Sequence, residues 1–247
     1  MATLANKTIL IFGGSSGIGY SVAEASLMSS ASHIIIVSSS SNAVRVGDAV
    51  KRLENFASTL SSGVGKVQGE AVDVTDRTAL KEFVLRMGEV DHIVWTSGDS
   101  LKLGFPNLDV ESLLGAFDVR FWAPIVIAQN AKIRQGGSLT LTIGSALVKP
   151  QKGWSIASGI VGAVDSLTRG LAVDLAPIRV NVISPGFLWK DVSEATKKQM
   201  FADAAEKLLV KHVAEPAEIA EAYLFAMKCA YITGQRIEVD GGYVLGA

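Results

Sequence analysis

The chain alternates between two hydrophobic rhythms. Short runs of consecutive apolar and β-branched residues, such as Lys7-Thr8-Ile9-Leu10-Ile11-Phe12, read as strands buried on both faces. Longer stretches with apolar positions three and four apart read as amphipathic helices, and Val46, Val50, Leu53 and Ala57 line one face of a helix over 42–60. Strands are predicted at 7–12, 33–37, 66–72, 91–95, 137–143, 179–183 and 236–239. Helices are predicted at 20–28, 42–60, 77–87, 110–134, 154–176 and 216–228, with a more polar helical stretch at 193–211. Pro124 falls inside the 110–134 helix and would kink or split it. Thr75 or Asp76 would cap the helix that begins at 77. Seven strands separated by helices imply an α/β fold with a doubly wound parallel sheet and helices on both faces.

The first strand runs straight into Gly13-Gly14-Ser15-Ser16-Gly17-Ile18-Gly19 and then into the first helix. In such a turn Gly13 permits a sharp reversal and Gly17 removes a Cβ where an anion must approach the backbone. Gly19 lets the helix pack close to the strand. The free N–H groups and positive end of the helix would then face a pyrophosphate, as in a Rossmann-type fold. The spacing is G-x-x-x-G-x-G, and a tight structural turn is the alternative reading. Ligands on doubly wound sheets lie beyond the carboxyl ends of the strands. That rule lines up Gly13 to Gly19, Ser38, Asp73, Thr96 to Gly98, Ser145, Pro185 and Gly186 along one crevice.

Composition narrows the partners. Net charge is -1 with no basic run, so a nucleic-acid role has no electrostatic footprint. Cys229 is the only cysteine, which excludes an intramolecular disulfide and a cysteine-built metal site. His33, His92 and His212 are scattered, and no metal centre is expected. No basic region followed by an apolar run marks a leader, and no bilayer-length apolar run is free of charge. The expectation is a cytoplasmic protein with no membrane partner. No Gly/Pro/Ser-rich linker divides the chain, so 1–247 is expected to form a single domain, with 193–211 a lid over a small-molecule substrate. Hydrophobic residues make up 49% of the chain and charged ones 19%, which suggests surface buried between subunits.

The glycine turn, Asp73-Val74 after the third strand, Gly144-Ser145 after the fifth, the stretch Arg179 to Gly186, Thr233-Gly234-Gln235 and the closing Val239-Asp240-Gly241-Gly242 form an ordered set. Together they resemble the short-chain dehydrogenase/reductase family, across essentially the whole chain. The resemblance implies that Asp73 and Val74 meet the adenine, that Pro185-Gly186 pass beside the nicotinamide, and that Gly98 lets the backbone skirt the cofactor. It also implies a homodimer or homotetramer built through the helices at 110–134 and 154–176 and the last strand. Gly159, Gly162, Ala163 and Ser166 offer a small-residue face for close helix contact. Members that take NAD usually carry an acid at the end of the second strand, where this chain has Ser38-Ser39-Ser40-Ser41. Hydroxyls, the N-terminus of the following helix and Arg45 would suit a 2′-phosphate, so NADP(H) is the expected cofactor. A serine loop that merely caps a helix is the alternative.

The family's Tyr-x-x-x-Lys does not appear. Counting forward from Ser145 puts its slots at Ser158 and Gly162, and counting back from Leu167-Thr168-Arg169 puts them at Ala157 and Val161. No tyrosine lies between Tyr20 and Tyr223. Arg120 stands where the family carries a helix Asn. These departures resemble a Tyr-less subgroup of fungal secondary metabolism that includes reductases of prenylated indole alkaloid pathways. There an Asp follows the Pro of the post-serine loop, where this chain has Gln151.

Without a phenol, a ketone's alkoxide product lacks its usual proton donor. An iminium needs none, and the enolate from an enone could rest on a hydroxyl and a cation. Ser145 and Arg120 are therefore the candidate catalytic residues. An ion pair with Asp118 or another acid is the plain alternative for Arg120, and a turn cap for Ser145. Gln151 and Trp154 are the candidate substrate contacts, although Trp154 reads equally as core. Lys149 and Lys152 are candidates for a substitute acid or are simply solvated. Three functions stay open: an NADPH-dependent reductase, an isomerase or cyclase using the cofactor as a wall, and an inactive cofactor-binding module.

Overall fold

The structure, a computed structural model, describes residues 3–39, 41, 43–60, 65–186 and 194–246, with backbone alone for 194–200. Seven strands form: β1 Thr8–Phe12, β2 His33–Ser38, β3 Lys66–Ala71, β4 Glu89–Trp95, β5 Lys132–Thr142, β6 Arg179–Pro185 and β7 Arg236–Val239. Every neighbouring pair is parallel, in the order β3-β2-β1-β4-β5-β6-β7. The chain reverses direction across the sheet between β1 and β4, and this switch point opens a crevice at the carboxyl edge.

Period-two alternation sends the strand side chains to opposite faces. Leu10 and Phe12 of β1 point into a core that also holds Phe83, Trp95, Leu139 and Val182. Ile9 and Ile11 point into a second core with Val22, Leu53 and Tyr223. Burying each such aliphatic side chain contributes about 1.5–3 kcal/mol. β1 and β2, covered on both faces, carry no polar stripe, whereas the edge strands keep one, Lys66, Gln68 and Glu70 in β3 and Arg236 and Glu238 in β7. The first core lies under α3 Arg77–Met87, α4 Ala123–Asn130 and α5 Ser155–Asp174. The second lies under α1 Gly17–Met28, α2 Ala43–Ser58 and α7 Pro216–Lys228. Asp76 caps α3, its carboxylate accepting from the Thr78 and Ala79 amides at 3.0 Å each.

The 110–134 helix does not form as one piece. The segment breaks into a 3-10 turn at Glu111–Leu113, a π-turn at Asp118–Trp122 and then α4, with Pro124 in its first turn. Proline has no N–H to donate and is tolerated only where a helix begins, so it starts a helix here instead of continuing one. Arg134 belongs to β5, which starts five residues before the predicted 137. A register irregularity between Val90 and His92 absorbs this extension.

α5 is long and apolar enough, by length and composition, to cross a membrane. In this fold it packs Ala157, Ile160, Val161 and Val164 against the sheet, and leaves Gly159 and Gly170 in open space. Arg179, at the start of β6, is buried and donates to the carbonyls of Ala226, Met227 and Cys229, which closes the C-terminal end of α7. The 193–211 stretch contains α6 Glu194–Lys207, and residue 193 lies outside the described residues.

Candidate active site

A cleft of about 460 Å³ opens at the switch point. Its floor is the glycine turn. Gly13 has φ +83°, and a Cβ there would sit 2.6 Å from Thr96 Oγ1 and 2.8 Å from the Ser97 amide. Gly17 has φ +54°, the left-handed region that glycine adopts without strain. A side chain at 19 would collide with the Gly13 carbonyl and with Thr96, so α1 starts in contact with the turn. Ser15, Ser16 and Ile18 complete this floor.

One end of the cleft is lined by hydroxyls and a guanidinium. Ser15 Oγ donates to Ser38 Oγ at 2.9 Å, and Arg45 Nη2 donates to Ser16 Oγ at 2.6 Å. Ser39 lines the same end, its hydroxyl 3.0 Å from that of Ser41. Ser40 lies outside the described residues. Asp73 and Val74 form the neighbouring wall. The Thr75 hydroxyl and amide both donate to Asp73 Oδ1, at 2.7 and 2.9 Å. These two bonds stabilise the charged form and hold the Asp73 carboxyl below the usual carboxylate range. The opposite wall is Thr96, Ser97, Gly98 and Asp99.

Arg120, on the π-turn, lies directly behind this wall. A Cβ on Gly98 would be 2.6 Å from Arg120 Nη2, so the guanidinium occupies the space that a side chain at 98 would take. Its charge goes to Asp99, with Nε donating to Oδ1 at 3.1 Å and Nη2 to the Asp99 carbonyl at 2.6 Å. Asp118 pairs instead with Arg77, at 2.7 Å.

The crevice continues past β5 and β6, but the residues expected there stand outside the main cleft. Ser145 opens a 3-10 turn, Ser145–Leu147, and is 8% exposed. The α5 face against this turn carries Ser158 and Gly162: Ser158 Oγ donates to the Ala146 carbonyl at 2.8 Å, and a Cβ on Gly162 would meet Leu147 at 3.6 Å. Ala157 and Val161 are buried instead, Val161 within the first core. Pro185 ends β6, and Gly186 lines a separate hollow of about 180 Å³ with Asp240 and Gly241. Trp154 is half-buried and packs on the first core. Gln151 is exposed, with Nε2 3.4 Å from the Tyr243 hydroxyl. Lys149 Nζ donates to the Tyr243 and Gly246 carbonyls, at 3.1 and 2.5 Å.

Thr75, Asp99, Val119 and Pro216 line the cleft without having been placed there from sequence, whereas Thr96 and Ser97 were expected along it. Thr75 carried a readable signal, because a hydroxyl two residues after an aspartate commonly closes a local turn. Tyr243 carried none.

These features define a Rossmann-type α/β protein with its ligand cleft at the switch point. The family model of an SDR-like Rossmann domain matches residues 1–246, and the chain belongs to the short-chain dehydrogenase/reductase family of oxidoreductases. It is 33% identical to the short-chain dehydrogenase/reductase fsr5 of Gibberella fujikuroi over 259 residues, spanning 99% of this chain and 97% of that protein. It is similar to the solved structure of the MalC reductase/Diels-Alderase from Malbranchea aurantiaca, with 31% identity, a TM-score of 0.87 and 98% of each chain covered. A small-chain dehydrogenase solved in complex with NADPH is 30% identical, with a TM-score of 0.74, covering 97% of this chain and 100% of that one.

Proposed function

We propose that the protein is an NADPH-dependent reductase of one domain, 1–247, that delivers hydride to an iminium, an enone or a carbonyl without a tyrosine acid on α5. The observation that carries the reading is the cleft: a glycine floor that no side chain could share, bounded by Asp73, Gly98 and a hydroxyl-and-arginine end. A dinucleotide fits this donor set. The amides at the start of α1 would face a pyrophosphate, and Asp73, with Oδ1 already held by Thr75, would present a rigid carboxylate to the adenine. Arg45 and the hydroxyls of Ser16, Ser38 and Ser39 meet a 2′-phosphate, and no carboxylate ends β2 to repel it. The NADPH complex of a relative supports the phosphorylated form.

Bound there, the reduced nicotinamide supplies hydride. The chain's own residues then decide which acceptor survives. Ser158 and Gly162 offer neither a phenol nor an ammonium against the Ser145 turn, so an acceptor that needs no proton is favoured. Ser145 donates to a substrate oxygen or holds an enolate. A guanidinium keeps its proton, so Arg120 cannot act as a base, and through Asp99 it orders the Gly98 wall. Gln151 and Trp154 flank the substrate, with α6 as its cover. The open small-residue face of α5 supports a homodimer or homotetramer.

A second reading, a cyclase with the cofactor as a wall, draws on the likeness to the MalC reductase/Diels-Alderase. Titration with NADPH and NADH, then loss of reduced-nicotinamide absorbance over a panel of iminium, enone and ketone probes, tests the proposal. Tight NADPH binding with iminium or enone turnover supports it. Product without cofactor oxidation selects the second reading, and no affinity for either coenzyme overturns both.

A further inference from the structure

The loop after β5, residues 144–153, is tied down on both flanks. On one side the Gly104 and Phe105 amides donate to the Gly153 carbonyl, at 3.0 and 3.3 Å. On the other side the Lys149 ammonium reaches the chain's last turn. It donates to the Tyr243 and Gly246 carbonyls and stands 4.8 Å from the centroid of the Tyr243 ring. Charge-assisted bonds of this kind are about twice as strong as neutral ones, and the ring face adds a cation–π contact. The tail is itself wound tightly, because the Asp240 carboxylate accepts from the Gly242 and Val244 amides at 2.9 Å each. It is also pressed against the end of β6: a Cβ on Gly186 would lie 2.8 Å from the Asp240 Cα.

This arrangement puts a phenol beside the loop that the reductase reading assigns to the substrate. Tyr243 Oη lies 3.4 Å from Gln151 Nε2. Lys149 shares one turn with Ser145, its amide donating to the Ser145 carbonyl at 2.9 Å. A lysine held at both its carbonyl partners and over a ring has given up most of its rotamer freedom, a cost that a solvated surface lysine does not bear.

Resting on the reductase reading, we propose that Lys149 is a positioning residue. It clasps the C-terminal tail, 240–246, as one wall of the substrate cavity, so that the Tyr243 hydroxyl and the Gln151 amide together meet a planar, oxygen-bearing substrate. Lys149 is thereby committed to the tail and is not the substitute acid.

The test uses the full-length, NADPH-loaded protein with a dimethoxy-dihydroisoquinolinium salt and cyclohexenone, both oxygen-bearing, as probes. Lys149→Met should speed hydrogen exchange of the tail amides roughly tenfold. It should raise KM for the reduced probe roughly tenfold while kcat and NADPH affinity stay within about twofold. Lys149→Arg, which keeps the charge and donors, should recover both. Tyr243→Phe should raise KM roughly tenfold and leave tail exchange unchanged. Unchanged exchange in Lys149→Met overturns the clasp, and an unmoved KM in Tyr243→Phe overturns the wall. A wild-type protein that binds NADPH but reduces neither probe breaks the reductase reading and the substrate wall with it. The clasp is then decided by the exchange rates alone.

Discussion

Around β1, β2 and β3 the carboxyl edge is closed by short-range chemistry. Asp73 is held by a threonine two residues away, and Ser15 reaches Ser38 across 23 residues and a single helix. Around β5, β6 and β7 the closing contacts join residues far apart in the chain: Gln151 meets Tyr243 across 92 residues and Lys149 meets the tail across 94. On the proposed reading the first region would hold a dinucleotide by backbone shape, since a Cβ at Gly13 or Gly19 meets backbone and Thr96. On the same reading the second would meet the substrate by side-chain chemistry, from Ser145, Gln151 and the Ser158 and Gly162 face of α5. Backbone geometry resists substitution because a single Cβ breaks it. Side-chain chemistry can be exchanged while the fold persists.

The sharpest way to break this contrast is at the glycine floor. Gly13→Val adds strain at φ +83° and a clash with Thr96 and Ser97. It should cost about 4 kcal/mol, roughly a thousandfold in NADPH affinity by fluorescence titration. A mild effect there would mean the floor is not a cradle.

His92 lies in β4, where the two regions join. Burial, with the Arg179 charge beside it, pushes its imidazole from 6.5 down to about 4. As pH falls below 6.5 the unfolded chain takes up a proton that the folded chain refuses until about 4. Stability is therefore whole above that window and falls through it, by about 3 kcal/mol. Urea melts of His92→Gln should be flatter between those two pH values than melts of the wild type. Equal slopes would show that the ring is already protonated in the folded protein.

On the substrate side the contrast can be sharpened by restoring what is missing. Ser158→Tyr with Gly162→Lys puts a phenol and an ammonium on the α5 face against the Ser145 turn. Ketone reduction should rise roughly a hundredfold in kcat/KM, the lower range for general acid catalysis. No gain would mean that the nicotinamide does not lie beside that face. The smallest effect is expected at the other end: Arg45→Ala should lower the preference for NADPH over NADH roughly tenfold, near the worth of one charge-assisted contact. An unchanged ratio would assign the phosphate to the serines alone.

Much of the first region was legible in the residues. The boundaries of α3, α7 and β7 follow from local apolar periodicity, and Asp76, Pro216 and Gly17 announce their turns by chemistry that acts within a few positions. Gly13, Ser15 to Gly19, Ser38, Ser39, Asp73, Val74 and Gly98 line one cleft, while Ser145, Pro185 and Gly186, expected along the same crevice, stand outside it. The stretch before Pro124 was not legible, because a 3-10 turn, a π-turn and a helix share much the same apolar spacing, and packing chooses among them. Arg120's partner was open from sequence for a similar reason: Asp118 is nearer along the chain, but the guanidinium occupies the space that Gly98 leaves. Periodicity and turn chemistry are properties of neighbouring residues, so the sequence by itself determined the sheet, most of its helices and the glycine turn between β1 and α1. Which of two registers on α5 faces Ser145, which acid takes Arg120, and which tyrosine stands at Gln151 depend on distances closed through space. Only the tertiary structure decided those.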